Sequence, residues 1–200
     1  MHSVTRESVA AALSALDRIA LATDGRHAAA VAVAVIEHDG ALGVPLTRRA
    51  ARMRAHPGQW ALPGGRIDDG EDAVAAAVRE MEEELGVRVS GSCAIGLLDD
   101  YATRSGYVIT PVVLWAGAVG ELIPNPEEVA SAPVATLAQL DVDPRFVSIP
   151  ESDQPVIQLP ILGDLIHAPT AAVLYQFREV ALHGRATRVG HFEQPVFAWR

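Results

Sequence analysis

Between Gly65 and Val87 the chain sets a breaker-rich turn directly before an amphipathic, acidic helix, and this segment constrains the fold more than any other. From Glu71 to Leu85, the residues Val74, Ala77, Val78, Met81 and Leu85 recur at helical spacing as one apolar stripe, so the segment is predicted to dock on a core. Gly86 stops it. Glu80, Glu83 and Glu84 share one face, because residues three and four apart are neighbours on a helix. Such like-charge pairs destabilise an isolated helix by roughly a few tenths of a kcal/mol each and become favourable when a cation sits among them. The helix is reached from Pro63-Gly64-Gly65, where the missing Cβ lets the main chain approach a metal or phosphate closely. Arg79, beside Glu80, is in position to hold Glu71 and fix the loop against the helix, while Glu82 points elsewhere. For an arbitrary helix, a solvated acidic face is the alternative.

The remaining pattern supplies partners for that helix. Thr5 to Ala22 carries Val9, Leu13, Leu16 and Ile19 or Ala20 at helical spacing, with Thr5 and Ser8 as caps. Ala29 to Ile36 is a β-branched run that predicts a buried strand, turning at His38-Asp39-Gly40 into a partner strand around Val44 to Arg48. Arg49 to Gly70 is too rich in Pro and Gly for regular structure over most of its length. Strands are predicted at Ser92 to Tyr101, Tyr107 to Ala116, Val129 to Val134, Val147 to Ile149 and Val156 to Leu159, with a helical turn at Leu137 to Leu140. Thr170 to Leu182 predicts a helix capped by Thr170 after Pro169, and Pro195 to Trp199 a last strand. Helices flanking a mixed sheet give an α/β class.

Half of the 200 residues are apolar, enough to bury the core of one domain. A formal charge of −9 argues against nucleic acid or anionic lipid as a partner. An anionic substrate would therefore need local help from metal and a few arginines. The single cysteine, Cys93, excludes an intrachain disulfide and a Cys-rich zinc site, and reads as a small core residue. Charges at Arg6, Glu7, Asp17 and Arg18 interrupt the first twenty residues, so nothing there resembles a secretory signal. The run from Ala28 to Ile36 is too short to span a membrane. A soluble, cytoplasmic protein is the expectation.

Gly65, Glu71, then Arg79-Glu80-Met81-Glu82-Glu83-Glu84-Leu85-Gly86-Val87 fill every fixed position of the signature box of the Nudix hydrolase family, which this chain resembles. The resemblance implies an α/β/α sandwich around a mixed sheet, and Mg²⁺- or Mn²⁺-dependent cleavage of a nucleoside diphosphate linked to another group. It implies Glu80, Glu83 and Glu84 as metal ligands, the Gly64 carbonyl as a further one, and Glu71 and Arg79 as supports. The general base is Glu83 by one family pattern and Glu128 by another. Hard carboxylate oxygens suit Mg²⁺ or Mn²⁺ on chemical grounds alone.

Upstream, Thr47, Arg49, Ala50, Arg54, Gly58 and Pro63 to Gly65 are similar to the extra motif of the coenzyme A diphosphatase branch, with Leu62 in place of the usual Phe. Arg49 and Arg54 are the candidate phosphate contacts, since guanidinium groups bind phosphate in bidentate fashion. Arg48 and Arg52 read as surface, and His56 as a loop-stabilising or substrate contact. Trp60 reads as a buried aromatic beside the Gly-rich turn, with stacking on a base as the alternative. Coenzyme A or an acyl derivative leads as substrate. ADP-ribose or a nucleotide sugar is the alternative, and a non-catalytic ligand-binding module of the same fold is the alternative of another class. The expected division is an N-terminal helix over 1–25, a catalytic domain over 26–140, and a helical extension over 141–200 that closes over an acyl chain or builds a homodimer. Tyr175 and Phe177 read as core, and His167, His183 and His191 as structural or surface.

Overall fold

A computed structural model describes residues 4–52 and 58–199. Helix α1 (Arg6–Ser14) starts at a capping box in which Thr5 and Ser8 each accept the other's main-chain N–H. It stops at Ser14 instead of running to Ala22. The following main chain bonds to an acidic pair instead: Ile19 N–H donates to Asp99 at 2.8 Å and Leu21 N–H to Asp100 at 2.8 Å. Ile19 is left exposed, not packed.

Strand β1 (His27–His38) turns through Asp39 and Gly40, both at positive φ, into β2 (Ala41–Pro45). Short strands β3 (Thr47–Arg49), β4 (Trp60–Ala61) and β5 (Gly64–Arg66) follow, so the breaker-rich segment holds more pairing than its composition suggests. Helix α2 (Ala73–Leu85) begins at Asp72, whose carboxylate accepts from Ala75 N–H, and ends at Gly86 in the left-handed region. Next come β6 (Ala94–Leu97), β7 (Tyr101–Ala102), β8 (Tyr107–Ala118), β9 (Val129–Ser131), β10 (Val134–Thr136) and the single turn α3 (Leu137–Leu140).

The main sheet runs β10-β2-β1-β8-β6, with β5 also on β1 and β7 also on β8. Only the β1–β8 pairing within it is parallel. Alternation along β1 sends Ala30, Ala32, Ala34 and Ile36 to one face, where they pack against Ala76, Ala77, Met81 and Leu85 of α2. Three alanines in that row leave room for the helix to lie close. Val33 and Val35 face the other side, with Val9 and Leu13 of α1 and residues of the last sixty. The sheet is thus covered on both faces, the α/β sandwich expected.

Residues beyond Asp141 depart from expectation in detail. They build a separate three-stranded sheet, in addition to the small β4-β3-β9 sheet, from β11 (Arg145–Ile149), β12 (Ser152–Ile161) and an unanticipated β13 (Asp164–His167). Helix α4 (Thr170–Phe177) gives way to a π-helical turn over Arg178–Leu182. Thr170 does not cap it, because its hydroxyl donates to the Trp60 carbonyl. Pro195 to Trp199 is a 3₁₀ turn, Val196–Ala198, and not a strand. Phe177 is buried and Tyr175 partly so. The segment is bolted to the main sheet. Gln176 donates to Asp99 at 2.7 Å, Arg188 bridges to the same carboxylate at 2.8 Å, and the Tyr101 hydroxyl donates to the Phe192 carbonyl at 2.7 Å. Among the described residues no helix is long and apolar enough to cross a membrane.

Candidate active site

Register brings the acidic helix to the Gly-rich turn. Strand β5 pairs antiparallel with β1, Gly65 opposite Ala30 and Gly64 opposite Val31, while α2 packs over that same stretch of β1. A Cβ on Gly65 would lie 2.1 Å from Glu80 Oε1, and one on Gly64 would lie 2.4 Å from the Ala30 carbonyl oxygen. Each glycine therefore does a different job: Gly64 lets strand meet strand, and Gly65 lets a carboxylate meet the turn.

Arg79 organises the carboxylates. Its guanidinium donates to both oxygens of Glu71 at 2.9 and 3.1 Å, to Glu80 at 2.7 Å, to Glu83 at 2.9 Å and to the Arg66 carbonyl at 3.0 Å. All of its bonding directions are engaged, which locks loop to helix as expected for Glu71 and Arg79. The Arg79 bonds, with help from Asp68 N–H, hold the Glu71 carboxyl below its ordinary range. Among the described residues no three His, Cys, Asp or Glu side chains converge on a common point, because Glu80 and Glu83 are turned to Arg79.

Glu84 is different. It is 3% exposed, and its Oε2 is the one buried side-chain oxygen without a hydrogen-bond partner among the described residues. Burial, and then the neighbouring charge of Glu80, push its carboxyl up to about 8, against the opposing pull of Arg49. Burial likewise raises Glu80, partly offset by Arg79. A buried, unpaired carboxylate costs free energy unless something positive joins it. With Glu80 and the Gly64 main chain beside it, this orphaned hard oxygen fits a divalent cation.

These groups open on a cleft of about 350 Å³ lined by Arg49, Gly64, Gly65, Glu80, Glu84 and Glu128 on one side. Glu83 is not among the lining residues, and its side chain is 56% exposed. Glu128 is carried on a loop tied to α2, since Asn125 N–H donates to the Glu84 carbonyl at 2.9 Å and Glu128 N–H to the Asn125 carbonyl at 3.1 Å. Ala50 N–H closes the circuit onto the Glu128 carbonyl at 2.7 Å, which seats Arg49 beside the cleft. Gly58, at positive φ, donates to the Arg49 carbonyl and so shapes that loop. Arg48 lies over the Trp60 ring and Arg52 donates to the Pro126 carbonyl, and both are exposed, the surface positions read from sequence. Arg54 and His56 lie outside the described residues.

Trp60 also lines the cleft, its indole N–H bonded to Asp164 of β13 at 2.9 Å. Sequence reasoning named none of the residues of the opposite wall as site residues: Thr103, Tyr107, Thr170, Val173, Gln194 and Ala198. Nothing in the local pattern of 194–199 distinguishes a cleft wall from a strand, and only the tertiary bolts place it. Replacing Arg79 with lysine is expected to cut turnover by about tenfold or more, because one ammonium cannot span Glu71, Glu80 and Glu83 together. Initial rates with near-wild-type circular dichroism would check this.

A family model of the NUDIX domain matches residues 25–153. The chain is 46% identical over 72 residues to a protein of Escherichia coli K12 named uncharacterized Nudix hydrolase NudL, a stretch covering 36% of this chain and 38% of that relative. The match therefore spans well under half of the relative's length. Among solved structures, the Nudix hydrolase RenU of M. smegmatis superposes with a TM-score of 0.52 at 25% identity, covering 79% of this chain and 87% of that one. A MutT/nudix family protein from Enterococcus faecalis gives 0.50 at 17% identity, over 74% and 57%, a likeness of fold alone.

Proposed function

From the premise that the chain belongs to the Nudix hydrolase family, we propose that it hydrolyses the diphosphate bond of a nucleoside diphosphate-linked substrate with the aid of Mg²⁺ or Mn²⁺. The observation that carries this is the unpaired, buried Oε2 of Glu84, a residue that lines the cleft with Glu80. Glu80, Glu83, Glu84 and the Gly64 carbonyl would hold the cation, Glu83 turning from Arg79 to do so. A cation bound there supplies neutralisation of the diphosphate and a more acidic water.

The chain's own groups do the rest. Arg79 and Glu71 position the ligand helix. Arg49, in the cleft lining, serves a phosphate of the substrate. Glu128 is the favoured proton acceptor over Glu83, because it lines the cleft and Glu83 does not. Water attacks phosphorus, its proton passes to the Glu128 carboxylate, and the anhydride P–O bond breaks to release two phosphomonoesters.

Coenzyme A or an acyl-coenzyme A is the proposed substrate, giving 3′,5′-ADP and phosphopantetheine or its acyl form. Its support is the Thr47 to Gly65 motif together with Arg49 in the cleft lining. Incubation with coenzyme A, ADP-ribose and nucleotide sugars, with Mg²⁺ or Mn²⁺ and product chromatography, tests it. Release of 3′,5′-ADP is expected; preferential cleavage of ADP-ribose would remove coenzyme A as the substrate while leaving the cation site intact.

A further inference from the structure

The far wall of the cleft is built with as much rigidity as the acidic one. Gln194 is 3% exposed yet lines the cleft. Its side-chain oxygen accepts the Arg104 N–H at 2.7 Å, which fixes the orientation of the amide, because only the oxygen can accept from a main-chain donor. The amide nitrogen is then left without a partner among the described residues. The surrounding chain holds this arrangement still. Arg104 bridges to Glu193 at 2.6 Å, Glu193 N–H donates to the Pro155 carbonyl at 2.9 Å, and the Trp199 indole donates to the Gln194 carbonyl at 2.8 Å.

Around this donor the wall is apolar or neutral: Val173, Pro169, Ala198 and Ile109 also line the cleft. Among the described residues, no acidic or basic side chain of the last sixty positions joins them there. Its distance from the cation site follows from the sheet. Tyr101, Ile109, Ala29 and Arg66 stand in one row across β7, β8, β1 and β5. Three strand spacings of about 4.8 Å put β7 roughly 14 Å from β5. Gln194 bonds to the turn just after β7, and Glu80 meets β5.

We propose that Gln194 is a specificity-determining residue that donates its amide N–H to a carbonyl of an elongated, uncharged arm attached to the diphosphate, with Val173 and Ala198 packing on that arm. This rests on the diphosphatase reading above and deepens it. The wall suits a neutral, amide-bearing substituent: Val173 and Ala198 are apolar, and the Thr103 and Thr170 hydroxyls near them are already bonded within the chain.

Pantetheine, the arm alone, provides the probe. In the intact protein it is expected to inhibit coenzyme A hydrolysis competitively. Gln194→Glu keeps the bond to Arg104 N–H and removes the donor. Its inhibition constant for pantetheine should rise about tenfold, while that for 3′,5′-ADP, which lacks the arm, changes less than about twofold. Equal weakening of both ligands, or no inhibition of the wild type by pantetheine, overturns the assignment, and the latter needs no variant to fold. If ADP-ribose is cleaved and coenzyme A is not, the substrate reading falls. The same competition run against ADP-ribose hydrolysis then decides the wall: inhibition sustains it and none removes it.

Discussion

Glu84→Gln is expected to make the metal-free protein more stable and the enzyme inactive. The wild-type carboxyl is raised to about 8 in the fold, whereas an unfolded glutamate titrates near about 4.3. A carboxylate raised on folding binds more protons in the native state than in the unfolded one between those values. Stability from this group is therefore lost as pH climbs from the lower value to the upper. Glutamine is neutral at every pH and removes that loss. Without divalent cation, the variant's melting midpoint at neutral pH should exceed that of the wild type by about 3–6 °C, and the gap should shrink toward pH 5. Turnover should fall on the order of a thousandfold, the scale seen when a charge-stabilising group is removed. Added Mg²⁺ should stabilise the wild type and leave the variant unmoved. A variant that melts lower and retains activity would contradict the role given to Glu84.

The two adjacent glycines should fail in different ways. In Gly65→Ala the new methyl collides with the Glu80 carboxylate, the far end of a side chain that can move. The fold is expected to survive, but Glu80 is displaced from the cleft. A misplacement of about 1 Å at a reacting centre costs on the order of a hundredfold in rate. In Gly64→Ala the methyl meets the Ala30 carbonyl and the Val31 Cα, both backbone, so β5 cannot keep its place on β1. That variant should lose stability first and activity as a consequence. Thermal melts beside initial rates separate the two. Equal stability loss in both would show that Gly65 serves the strand and not the carboxylate.

Legibility in the sequence followed the range of the interactions. Helix α2 was readable to within two residues because its stripe, its Gly86 stop and its carboxylate spacing are local. The Arg79–Glu71 bond was foreseeable for the same reason. The early end of α1 was not, since it depends on Asp99 and Asp100 eighty residues away capturing main-chain donors. Shared helical spacing suggested three equivalent glutamates, yet burial divides them into Glu80 and Glu84 inside and Glu83 exposed. Spacing says which side chains neighbour one another and nothing about how deep the partner sheet buries each. Gln194 was invisible because its meaning lies in one bond to Arg104, ninety positions back in the chain.

A divalent cation is proposed to sit in the cleft at Glu80 and Glu84. Titration of the metal-free protein with Mn²⁺, following the free-ion paramagnetic resonance signal, tests it without reference to any substrate. Saturable binding is expected, weakened by at least about tenfold in Glu84→Gln, as loss of a charge-assisted ligand requires. Equal Mn²⁺ affinity in wild type and Glu84→Gln would contradict it.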